Sequence, residues 1–153
     1  MPLVLKNPQA LQEFVGKEIG VTEWFRVTQE RIVQFAEATE DRQWIHADAA
    51  RARRESPYGA TIAHGFLTLS LLSHLVHGVL RIEGGVRLAV NYGLNRVRFP
   101  AAVRAESRIR ARVGLLALKE NADSLDVTLS IAVEIEGVAK PGCVAEWIVR
   151  YYV

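Results

Sequence analysis

Apolar positions recur along this chain with two different periods, helical up to about Arg81 and extended beyond it. Residues 8–16, PQALQEFVG, predict a short helix with Pro8 near its start and Gly16 as its stop. Residues 22–27, TEWFRV, predict a strand that carries Trp24 and Phe25 toward the domain. Thr28 is a good N-cap for a helix with a stripe of Ile32, Val33, Phe35, Ala36 and Ala38, ending near Thr39. Asp48 caps a second short helix, DAARARRES, which Pro57 and Gly59 break. The longest helical stretch runs from about His64 to Arg81 and is apolar nearly all round, so it is expected to be buried. Its polar residues Ser70, Ser73, His74 and His77 share one face, which predicts a polar counterpart.

From residue 86 onward the pattern is extended. VRLAVNYGLNRVRFP, VRAESRIRARVGLLALKEN, SLDVTLSIAVEIEG and CVAEWIVRYYV read as strands, with turn signals at Pro100, Asn121–Ser124, Gly137 and Pro141-Gly142. Val127, Leu129, Ile131, Val133 and Ile135 alternate with Asp126, Thr128, Ser130, Ala132 and Glu134, so the first set faces a core and the second is less buried. Helices first and a mostly antiparallel sheet second give an α+β class. One buried helix and one long sheet point to a hot-dog arrangement, the sheet curled around the helix. Such a sheet leaves an edge, and pairing with a second copy would cover it, so a homodimer is expected.

A chain of 153 residues, half of them hydrophobic, is long enough for one domain with a sizeable core, and residues 1–153 are read as that single domain. No run reaches the roughly 18 apolar residues needed for a bilayer span, and the N-terminus lacks a basic-then-apolar leader pattern. A cytoplasmic location is therefore expected. Cys143 is the only cysteine, which excludes an intrachain disulfide. The net charge of +2 is too small to imply nucleic-acid binding by itself. Its make-up is uneven, since 15 of the 19 basic residues are arginines, suited to forked contacts with phosphate or carboxylate. His74 and His77 have no carboxylate or cysteine at a helpful spacing, so no metal site is expected.

Asp41 and His46 fall in a bend after the first long helix, and His64-Gly65 open the buried one. The runs ATEDRQWIHAD and TIAHGFLTLSLL, with VNYGLNRVRFP and CVAEWIVRYYV, resemble the MaoC-like (R)-specific enoyl-CoA hydratases, most closely their nodulation-protein-N-like branch. The resemblance covers roughly residues 20–153. It implies a dimeric hot-dog fold and reversible hydration of a trans-2-enoyl-CoA to an (R)-3-hydroxyacyl-CoA, with coenzyme A as part of the substrate and no separate cofactor. It also implies catalytic roles for Asp41 and His46, a backbone N–H of Gly65 on the thioester oxygen, and a supporting role for Ser73 beside the catalytic acid. Where many such hydratases have Asn-Pro between the catalytic pair, this chain has Gln43-Trp44.

The chemistry fits the residue types. A histidine with an ordinary pKa near 6.5 can take a proton from water close to neutral pH, or orient that water through a ring nitrogen, so either member of the Asp41–His46 pair can be the formal base. Asp41 can hold the same water and return a proton to Cα, a role that burial of its carboxyl would favour. Gly65 at a helix start can present an N–H to the developing enolate oxygen and let a substrate approach closely. Gln43, Trp44, His64, Tyr92, Asn95, Arg96 and Arg98 form the expected substrate-binding set, His64 by shaping its turn and the arginines, with Arg51, Arg53 and Arg54, as a rim for phosphates. Two other functions remain open at this level: dehydration of a 3-hydroxyacyl group on a carrier protein, and non-catalytic binding of an acyl thioester.

Overall fold

In the computed structural model, which describes residues 1–153, Leu3–Leu5 form β1 and Asn7 caps a 3-10 helix over Pro8–Phe14 by accepting from the Ala10 N–H. Pro8 occupies the first turn, where its missing N–H costs nothing, and Gly16 with φ of 81° turns the chain out. Of the strand expected at 22–27 only β3 (Phe25–Arg26) forms, and a separate strand, β2 (Glu18–Val21), precedes it. Thr22 separates them because its hydroxyl takes the Ala111 N–H that a strand carbonyl would otherwise accept.

Helix α1 spans Gln29–Thr39 under the expected Thr28 cap and ends at Glu40 in the left-handed region, φ 61°. A four-residue helix, α2 (Trp44–Ala47), follows within the predicted bend, and α3 (Ala49–Glu55) starts from the Asp48 cap as the sequence implies. The long helix is a correction: it divides into α4 (Gly65–Ser70) and α5 (Leu72–His77) at Leu71, where ψ is −12°. The Ser70 hydroxyl donates to the Phe66 carbonyl at 2.6 Å and competes with the helical ladder just before the break. Beyond Gly78 the chain leaves helix altogether, and β4 (Leu80–Ile82) pairs in parallel with β1.

Four long strands complete the fold: β5 (Leu88–Arg98), β6 (Arg108–Glu120), β7 (Ser124–Ile135) and β8 (Val138–Tyr152). The sheet order is β2-β6-β7-β8-β5, with β3 also on β6, and its pairs are antiparallel. This is the α+β hot-dog arrangement. The β7–β8 turn lies at Glu136-Gly137, whereas Pro141-Gly142 falls inside β8. Val138 pairs with Ile135 and Cys143 with Val133, so the Pro-Gly pair is extra chain accommodated in a bulge, where a proline is tolerated.

Alternating residues of β6 and β7 pack against Leu67, Leu72, Leu75 and Val76 of the helices. Asp126 is more buried than expected of its outer face, being only 7% exposed, because Arg150 across the strand pair grips its carboxylate at 2.6 and 2.8 Å. That guanidinium holds the Asp126 carboxyl below the usual carboxylate range. The helix pair is not buried all round: Phe66, Ser70, Ser73, His74 and His77 are exposed, and no polar group of the chain hydrogen-bonds to the Ser73, His74 or His77 side chains. No helix is long and apolar enough to cross a membrane. Ile109 of β6 has no solvent exposure, so Ile109→Ala is expected to cost about 2–5 kcal/mol in a chemical-denaturation titration.

Candidate active site

Two segments that are far apart in sequence are laced together at the site. The Ile62 N–H donates to the Ile45 carbonyl at 3.0 Å, and the His46 Nδ1 lies 2.6 Å from the Ile62 carbonyl. A carbonyl oxygen only accepts, so Nδ1 carries the proton and neutral His46 keeps its lone pair on Nε2. From the other side the Gln29 side chain donates to the His46 carbonyl at 2.8 Å, while its own carbonyl accepts from the buried Thr61 hydroxyl. Gln29 stands next to the Thr28 cap, so the start of α1 is tied directly to His46.

Burial, chiefly, pushes the His46 imidazole below its ordinary value. The Ile62 hydrogen bond and the Asp41 charge oppose that shift, and charge on His64 would add to it. Asp41, His46 and His64 bring one ligating atom each to within 4.8 Å of one another. The Asp41 carboxylate itself is 56% exposed, so the burial that would favour it as a proton donor is not present.

His64 is 3% exposed and sits at the centre of this cluster rather than at its rim. Its ring stacks on His46 at 3.7 Å between centroids and 20° between planes, with the Phe35 ring tilted against it at 4.9 Å. Next to it, the Gly65 N–H is used by no hydrogen bond of the chain. The Cα of Gly65 is closely covered, since a Cβ there would lie 3.0 Å from the Phe99 ring. The close approach that requires glycine is thus made by Phe99, whereas the sequence pointed to substrate. A space of about 280 Å³ opens beside them, bordered by Tyr58, Ile62, Gly65, Thr68 and Phe99.

Ser73 lies elsewhere. Its hydroxyl makes no hydrogen bond, and it borders two adjoining cavities, of about 400 and 350 Å³, that share Ser73, Asn91 and Trp147 between α5 and β5. Tyr92 borders the first of these with the Arg150 guanidinium 3.8 Å from its ring centre. Gln43 caps α2 by its main chain, its carbonyl taking the His46 N–H. Trp44 carries the Arg51 guanidinium on its face at 4.3 Å, and Arg51 also pairs with Glu55. Asn95, Arg96 and Arg98 are exposed around a bulge in β5, with Arg96 in the left-handed region at φ 52° and Arg98 bonded to the Val97 carbonyl. The structure therefore joins Asp41, His46, His64 and Gly65, and leaves Ser73, Tyr92 and the arginine rim outside that cluster. Gln29, Thr61 and the Ile62 carbonyl escape sequence reasoning, and the one signal available was a threonine in the otherwise apolar run of residues 60–63.

Residues 10–135 match the family model described as the MaoC like domain. The chain is 50% identical over 137 residues to 3-hydroxyacyl-thioester dehydratase Z of Mycobacterium tuberculosis, covering 89% of each protein. It is 46% identical over 136 residues to nodulation protein N of Rhizobium leguminosarum bv. viciae, covering 88% of this chain and 84% of that protein. Among solved structures, the (R)-hydratase from A. caviae involved in PHA biosynthesis superposes with a TM-score of 0.70 at 24% identity, over 88% of this chain and 94% of that one.

Proposed function

The chain belongs to the MaoC-like dehydratase family and is a hydro-lyase, and on that premise we propose that it adds water reversibly to a trans-2-enoyl-CoA to give an (R)-3-hydroxyacyl-CoA. The observation that carries this reading is the hydrogen bond from His46 Nδ1 to the Ile62 carbonyl, which leaves Nε2 as the free base of a ring that brings one nitrogen to within 4.8 Å of an Asp41 carboxylate oxygen. A separation of up to 4.8 Å is one that a single water can bridge with two ordinary hydrogen bonds. His46 takes a proton from that water as its oxygen bonds Cβ and the C=C π pair passes to Cα, Asp41 orients the water, and the proton held on His46 is delivered to Cα, which restores the neutral imidazole. The thioester oxygen, which gains negative charge as the Cα carbanion forms, is matched by the unused Gly65 N–H.

The acyl chain is assigned to the space of about 280 Å³ beside Gly65, whose lining is mostly apolar. Arg53 and Arg54 are exposed and free of ion pairs, which suits the phosphates of coenzyme A. A homodimer belongs to the same reading: β5 is an edge strand with Leu88, Val90, Tyr92 and Leu94 exposed, and a second copy would cover it.

The test is loss of the conjugated enoyl absorbance when purified protein meets trans-2-enoyl-CoA substrates of graded length, with the same acyl groups on a carrier protein in parallel. Turnover of the CoA series is the expected result. Turnover of the carrier series alone would replace CoA by a carrier thioester, and tight acyl-CoA binding without turnover on either would make this a binding protein.

A further inference from the structure

Resting on that reading of Asp41 and His46 as the reacting pair, we infer that His64 is a positioning residue: one face of its ring holds the His46 imidazole and its Nε2–H holds the Asp41 main chain. His64 Nε2 lies 2.9 Å from the Asp41 carbonyl oxygen, and 4.0 Å from one oxygen of the Asp41 carboxylate. Because the carbonyl can only accept, Nε2 carries the proton and Nδ1 is bare. The two stacked histidines are therefore opposite tautomers, His46 protonated on Nδ1 and His64 on Nε2.

The His64 Nδ1 is buried and has no hydrogen-bond partner in the chain. A buried acceptor without a partner is a cost that a phenylalanine of similar shape would not carry. Packing between Phe35 and His46 therefore does not explain a histidine here, whereas the bond to Asp41 does. That bond acts at the right place. Asp41 follows Glu40, which is left-handed, and no other hydrogen bond of the chain reaches the Asp41 carbonyl or carboxylate. With its side chain half exposed, Asp41 depends on His64 for its direction. The stack performs the matching task for His46, whose ring has the Ile62 bond at one nitrogen and the His64 plane along its face.

Two substitutions separate the two tasks. His64→Phe keeps a ring against His46 and deletes the donor to Asp41; His64→Gln keeps an N–H near the position of Nε2 and deletes the stack. Each is expected to lower kcat at least about tenfold with KM changed less than about twofold, as for a small misplacement of a reacting group. Nitrogen NMR of the imidazoles supplies a readout independent of turnover: the wild-type protein should show Nδ1–H for His46 and Nε2–H for His64, and the His46 pattern should persist in His64→Phe but blur in His64→Gln. A tenfold rise in KM at unchanged kcat would make His64 a substrate contact and overturn the assignment, as would wild-type kcat in both variants, or the same tautomer on both histidines. Should His64→Phe fail to fold, as judged by circular dichroism, the kcat, KM and NMR results for His64→Gln decide alone. If the wild-type protein turns over no thioester, the functional reading fails, and the opposite tautomers still test the geometry.

Discussion

Asp41→Asn and His46→Asn are each expected to lower the proposed thioester hydration by about 100- to 10,000-fold while the protein keeps its native circular dichroism and oligomeric state. Asparagine suits both positions. At 41 it preserves the shape of a half-exposed side chain and removes only the charge proposed to orient water. At 46 its amide can still donate to the Ile62 carbonyl, and the Gln29 bond to the main-chain carbonyl is untouched, so what disappears is the Nε2 base. Rates within threefold of wild type for either variant would remove that residue from the chemistry.

The same histidine sets a pH dependence with a definite sign. Burial holds the His46 imidazole below its ordinary value near 6.5, with Asp41 and His64 the titratable groups that act on it. The acid limb of kcat/KM should therefore lie below 6.5. Folding follows the same direction: the unfolded chain takes up the proton first as pH falls, so the stability due to neutral His46 is present above about 6.5 and is lost as pH drops through the lowered folded value. Urea midpoints measured across that range in wild type and His46→Asn would differ in slope, and parallel curves would contradict the shift.

Gly65→Ala keeps the main-chain N–H but sets a methyl beside it, and if that methyl bars the thioester oxygen kcat is expected to fall by about 100-fold or more, the scale of losing one oxyanion contact. The added methyl meets the Phe99 ring at 3.0 Å, and it also stands beside the N–H that no other group uses. These effects separate in the double variant with Phe99→Ala. Since Phe99 is partly exposed, removing its ring relieves the clash. Thermal stability should then return while turnover stays low. Recovery of turnover in the double variant would show that the glycine serves Phe99 and not the thioester oxygen.

Features built from near neighbours were legible in the sequence. Thr28 and Asp48 cap their helices as read, because a cap bonds an N–H three residues away. Alternation in β7 gave its core face, since successive side chains of a strand must point to opposite sides. Local rules failed where a side chain competed with the backbone, as at Thr22 and Ser70, or where a charge found a partner on the next strand, as Asp126 found Arg150. They failed again at Pro141-Gly142, a turn by composition and a bulge by pairing.

By itself the sequence determined the α+β hot-dog class, the two capped helices and the five-residue spacing that puts Asp41 and His46 in one bend. Only the tertiary structure decided which nitrogen of His46 is left free, because the carbonyl that settles it belongs to Ile62, 16 residues along the chain. It alone decided the place of His64, which reaches back 23 residues to Asp41 and 18 to His46. Helix and strand formation is governed by groups a few residues apart, whereas tautomer and ring orientation are set by acceptors and planes that come together only when the chain has folded.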